Sequence, residues 1–102
     1  MFVYNSGMSN PKIIFRLHAL QRMFERDISN VPDLRRVLAE GETIEEYSND
    51  FPNPTRLIFG WMDDVPVHMA VSENHKTNET IIVTVYIPDP AQWTDDFRSR
   101  DR

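Results

Sequence analysis

The hydrophobic period of the chain changes at Gly41. Before it, apolar residues recur every three or four positions; after it the period is two over residues 43–47, and β-prone apolar segments separated by turn-forming loops follow as far as Ile87. Such a switch calls for a helical layer followed by strands, because each pattern gathers its apolar side chains on one face only in its own conformation. A chain of 102 residues suffices for one domain. The expected architecture is α+β: two N-terminal helices packed on a four-stranded antiparallel sheet.

The first helix is expected over residues 17–26. There Leu17, Ala19, Leu20, Met23 and Phe24 gather on one side, with His18, Arg22, Glu25 and Arg26 on the other. Val31, Leu34, Val37 and Leu38 mark a second helix. Ser29 or Asn30 can cap it, Pro32 and Asp33 suit its first turn, and Gly41 sits where a left-handed stop is wanted. Two short helices joined by a few residues should pack as a helical hairpin. The strands are expected over 43–47, 55–62, 65–72 and 80–87 as a meander, and the run 12–15 also has strand character. Residues 1–11 read as a flexible lead-in, 12–97 as the domain and 98–102 as a frayed tail, with Trp93 and Phe97 pinning the tail back onto the body.

Composition narrows the function. A formal net charge of −5 argues against a general salt-driven grip on nucleic acid, though not against a small basic cleft. Without cysteine there is no disulfide and no thiolate metal site, and no histidine pair has ligand spacing, so neither metal nor cofactor is expected. The three glycines lie far apart and form no phosphate loop. No apolar run reaches bilayer length and no signal peptide opens the chain, so a cytoplasmic protein without membrane contact is expected.

Several side chains have chemistry to offer. His18, Arg22 and Arg26 follow i, i+4, i+8 spacing and can converge on one anion, or form a solvated helix face with Glu25 paired to an arginine. His68 lies inside an apolar strand, where an imidazole needs either a hydrogen-bond partner or a task. Thr84 and Tyr86 share a strand face with Ile82 and can orient a phosphate or base, or be ordinary strand formers. Arg56 opens its strand where a charge can reach a cleft or simply solvent, and Tyr47 can stack on a base or cover the sheet. The parity of His68 depends on the turn at Asp63–Asp64: a two-residue loop sets it opposite Phe59, and one residue more turns it to the other face.

His18-Ala19-Leu20-Gln21-Arg22-Met23, then Glu25-Arg26 and Ile28, resemble the opening motif of a bacterial family catalogued as a domain of unknown function. Glu45-Glu46-Tyr47, Pro54-Thr55-Arg56-Leu57, Gly60-Trp61, Pro66-Val67-His68 and Thr84-Val85-Tyr86 with Pro88 and Trp93 continue the likeness. Arg16 departs from it, standing where such relatives tend to have Ser or Thr. Members are often encoded beside a small zinc-finger antitoxin of the MqsA type and look like distant relatives of RelE-like and MqsR-like toxins. The resemblance implies a metal-independent endoribonuclease toxin with a cognate antitoxin as partner and RNA as substrate; a homodimer is compatible with it. On that reading His18, Arg22, Arg56, His68 and Tyr86 would be catalytic, and Arg26, Tyr47 and Thr84 would bind RNA. The alternative is a non-catalytic protein-binding module or degenerate toxin that acts only through a partner protein, to which exposed strand edges and the acidic balance are suited.

Overall fold

The most β-prone segment of the chain lies inside the sheet, with partners on both sides. The computed structural model describes residues 2–4, 12–25 and 31–101. In chain order the elements are β1 (Phe2–Tyr4), β2 (Lys12–Phe15), α1 (Leu17–Glu25), α2 (Val31–Glu40), β3 (Glu42–Tyr47), β4 (Thr55–Met62), β5 (Val65–Asn74) and β6 (Glu79–Tyr86). The sheet order is β1-β2-β6-β5-β4-β3, and β2 runs parallel to β6.

This overturns the four-stranded antiparallel sheet led by two helices. The meander β3 to β6 forms as expected, but it leaves one edge of β6 open, and the apolar run Ile13-Ile14-Phe15 completes it. The result is a six-stranded mixed sheet, with five strands of four residues or more and the three-residue β1 at its edge. Ser29 and Asn30, the expected caps of α2, lie outside the described residues.

The two helices contribute to one buried cluster on the sheet. Each docks on the sheet, α1 over β6 and α2 over β4. Ala19 and Met23 of α1 and Leu34 and Val37 of α2 bury themselves against Ile58, Val67, Met69, Val71, Ile82 and Val85. Leu17 and Phe24 remain 64% and 88% exposed, so the apolar side of α1 is wider than the surface that covers it. Gly41 does not end α2 in a left-handed conformation, since no described glycine has positive φ. Close approach explains it instead: a Cβ there would lie 2.4 Å from the Val37 carbonyl oxygen and 2.5 Å from Ile58.

Two details of register decide which residues meet. Met62 pairs with Val65, so Asp63–Asp64 is a two-residue loop, with Asp63 at a φ of 56°, and His68 falls opposite Phe59. Between β5 and β6 the pairing shifts: Ala70 faces Thr84, while Val71 faces Ile82. Val83 is the extra residue of this bulge, and it reverses the parity of everything before it. Ile82 thus enters the helix-side core, while Thr84 and Tyr86 face away; the expected sharing of one face by all three fails for that reason.

Candidate active site

The sheet face away from the helices gathers ionisable and aromatic groups. Register brings Glu45 and Leu57, Phe59 and His68, and His68 and Tyr86 side by side on it. The segment after β6 then crosses this face. Trp93 is buried, its ring 4.3 Å from the His68 ring, and a bridge between Trp93 and Arg100 turns the segment back. Phe97, at a φ of 61°, presents its carbonyl oxygen to His68. Arg98 and Arg100 reach the edge strand and pair with Glu42 at 2.6 Å and Glu45 at 3.1 Å.

His68 is 0% exposed, and its tautomer follows from its partners. Nε2 lies 2.8 Å from the Phe97 carbonyl oxygen, which only accepts, so Nε2 carries the proton. Nδ1 of the neutral ring then accepts from the Tyr86 hydroxyl at 3.2 Å. Burial pushes the His68 pKa below its usual value and outweighs the Phe97 carbonyl and the Glu45 charge, so the ring is neutral at physiological pH. Burial also raises the Tyr86 phenol to about 12.

Glu45, Tyr47 and Arg100 form the rim. Arg100 engages Glu45 through Nε and Nη2 at 3.1 and 3.2 Å, and the Tyr47 hydroxyl donates to the same carboxylate. Partial burial raises the Glu45 carboxyl, but the hydrogen bonds from Tyr47 and Arg100 and the Arg100 charge outweigh it, leaving a net lowering. Tyr47 is raised by burial and by its bond to Glu45. The face therefore holds an ionised carboxylate, a guanidinium, a neutral imidazole and two protonated phenols, joined as Glu45–Tyr47–Arg100 and as His68–Tyr86.

The other expected site residues are scattered. His18 is exposed and Arg22 half-buried on α1, in the helical layer. Arg56 points to the helix side of the sheet, held by Glu73 at 2.7 Å and Thr43 at 2.8 Å, and lines a cavity of about 230 Å3 with Arg35, Leu38 and Thr80. Arg56 and Tyr86 thus lie on opposite faces, and His18 cannot share one cavity with both. Thr84 stands half-buried on the Tyr86 face, and Arg26 lies outside the described residues.

Glu45 and Arg100 are the partners that motif reading gave no task. Glu45 stands in a quoted motif, and strand alternation alone puts it on the Tyr47 side. For Arg100 the available signal was indirect: if Trp93 and Phe97 anchor the tail, the arginines beyond them land on the sheet. Among the described residues no group of three or more His, Asp or Glu could hold a metal ion. No helix among them is long and apolar enough to cross a membrane.

Residues 15–87 match a family model described as a domain of unknown function, DUF4258, and with most of its length matched the chain belongs to that family. No curated protein and no solved structure matches it.

Proposed function

We propose that this DUF4258 member is a metal-independent endoribonuclease of a toxin–antitoxin pair, working from the sheet face opposite the helices. The observation that carries this reading is the convergence of Glu45, Tyr47, His68, Tyr86 and Arg100 on one face. RNA carries its own nucleophile, the 2′-hydroxyl, so cleavage needs a proton acceptor, a charge to stabilise the phosphorane and a proton for the leaving oxygen.

The hydrogen-bond polarity supplies the acceptor. The 2′-hydroxyl gives its proton to the Tyr86 oxygen as Tyr86 passes its own to Nδ1 of His68. The imidazolium so formed is stabilised by the Phe97 carbonyl and by the Glu45 charge. The P–O2′ bond forms and the P–O5′ bond breaks, with Arg100 beside the developing negative charge. The departing 5′-oxygen takes a proton from Tyr47, which becomes a phenolate, and the proton held by His68 then passes back through Tyr86 to Tyr47, restoring both phenols and the neutral ring. His18, Arg22 and Arg56 take no step in this scheme.

The purified protein should cleave RNA in the presence of a chelator. Tyr86→Phe should slow cleavage on the order of 100-fold, and Arg100→Ala on the order of 100-fold or more, with circular dichroism unchanged. A folded wild-type protein that cuts no RNA at any ratio would refute the proposal.

A second reading, a module that acts by binding a protein, is favoured by the exposure of Leu17 and Phe24. Seven residues apart, they form one stripe on α1. Under the first reading the same stripe suits a cognate antitoxin, such as a zinc-finger protein. The two readings separate in cells: Tyr86→Phe abolishes the phenotype under the first and leaves it intact under the second.

A further inference from the structure

We infer that the groove at the open end of β4 is a nucleobase subsite with a preference for guanine; this rests on, and deepens, the ribonuclease reading. β3 begins at Glu42, opposite Phe59, so Gly60–Met62 of β4 extend past it and are paired only by β5. The groove there measures about 290 Å3 and is lined by Arg36, Glu40, Glu42, Trp61 and Arg98, with Gly60 at its floor. A side chain at Gly60 would intrude on Val37, whose Cγ1 would lie 2.8 Å from the added Cβ.

Trp61 is the reason to expect a flat ligand. The residue is 49% exposed, beside a buried Phe59. It is also held in place: Phe59 and Phe97 meet it edge-to-face, at 5.6 and 6.3 Å between centroids, and neither stacks on it. An indole that is fixed and yet bare is a ready platform for a base, because stacking then costs little ordering.

The rim selects among flat ligands. Arg36, which also pairs with Asp33 at 3.4 Å, and Arg98, which pairs with Glu42 at 2.6 Å, bring two guanidinium groups to the rim, and Glu40 and Glu42 bring two carboxylates. A free phosphate therefore gains no net attraction. A nucleotide does gain, since its phosphate meets a guanidinium while the donor edge of its base meets a carboxylate. Guanine presents adjacent N–H donors on its Watson–Crick edge, which suits Glu40. Arg36 is already turned inward, with Nη2 3.5 Å from the Trp61 carbonyl oxygen.

Position ties the groove to the proposed chemistry. The Phe59 ring touches Trp61 on one side and His68 on the other, at 5.7 Å, and Phe97 spans the same gap. Two rings, Phe59 and His68, thus lie between Trp61 and Tyr86, so a base held on Trp61 belongs to a nucleotide near the scissile phosphate rather than to the one that supplies the 2′-hydroxyl.

The two tryptophans give two indole N–H resonances, and Trp93 is buried. Titrating the 15N-labelled chain with guanosine 3′-monophosphate should shift the Trp61 signal saturably. The adenosine and uridine analogues should bind about tenfold more weakly, and inorganic phosphate should leave the signal in place. Glu40→Gln should erase the guanine preference while keeping the fold, and Trp61→Leu should abolish binding as followed by the other amide signals. A Trp61 signal unmoved by nucleotide up to about 10 mM overturns the subsite, as does an equal response to phosphate or binding that survives Trp61→Leu. Nucleotide binding without RNA cleavage would sink the ribonuclease reading and leave the subsite standing. Cleavage at an unchanged kcat/KM in Trp61→Leu would do the reverse.

Discussion

The two faces of the central strands are built on different physics. Toward the helices, Ile58, Val67, Met69, Val71, Ile82 and Val85 form an aliphatic surface buried by α1 and α2. Away from them, Phe59, His68 and Tyr86 lie under a segment without regular secondary structure, held by ion pairs and by single hydrogen bonds such as Thr94 N–H to the Ser99 carbonyl at 2.8 Å. The first face is stabilised by area removed from water and is indifferent to direction. The second depends on each donor finding its acceptor, since a buried imidazole left with one partner missing costs more than its bond was worth. One face stores stability, and the other holds groups in chemically useful relation.

Substitutions can test that contrast, from the largest effect to the smallest. Ile58→Ala should cost about 4 kcal/mol in chemical denaturation by opening a cavity under α2, with the Tyr86 hydroxyl signal and the arrangement around His68 unchanged. His68→Gln should cost about 2 kcal/mol, less than the aliphatic truncation, but it should alter the environment of Tyr86 and Trp93. Gly60→Ala should cost about 1–3 kcal/mol through its contact with Val37. Arg98→Ala should fall within about 1 kcal/mol, because its pair with Glu42 is exposed.

Acidity separates the faces further. His68 is neutral when folded and its pKa lies below 6.5, so below that pH the unfolded chain binds a proton that the folded one refuses. Stability should therefore fall as pH drops below about 6.5, and His68→Gln should remove that part of the slope. Glu45, whose folded pKa is lowered, adds stability above its ordinary value of 4.5 that is lost as pH falls through the folded value. Tyr86 acts at the other end: unfolded phenol ionises near 10 and the folded one near 12, so stability should decline as pH rises across that interval. Thermal unfolding across pH, on wild type and His68→Gln, measures these slopes, and a His68→Gln curve that retains the acid slope below 6.5 would remove His68 as its source.

Local pattern carried the strands β3 to β6, both helices and the anchoring of Trp93, since each leaves a periodic or aromatic trace in nearby residues. What escaped was set by distant partners. The strand character of residues 12–15 was local, but their place beside β6 was set by an open edge more than sixty residues away, which no local period reports. The bulge at Val83 carries no sequence mark, so the parity of Ile82 could not be read. On α1, amphipathicity correctly separated Ala19 and Met23 from His18, but it could not say that the sheet would cover only part of the apolar side. The site suffered most at Arg100, which sits in a polar terminus that looks frayed until its carboxylate partner on β3 is seen.

The central claim is that any chemistry belongs to the face bearing Tyr86 rather than to the helix bearing His18. RNA cleavage in chelator by wild type, Tyr86→Phe and His18→Ala, assayed side by side on folded protein, tests it most directly. The account predicts near wild-type cleavage by His18→Ala and a loss on the order of 100-fold in Tyr86→Phe. Loss of cleavage in His18→Ala with full activity in Tyr86→Phe would contradict it.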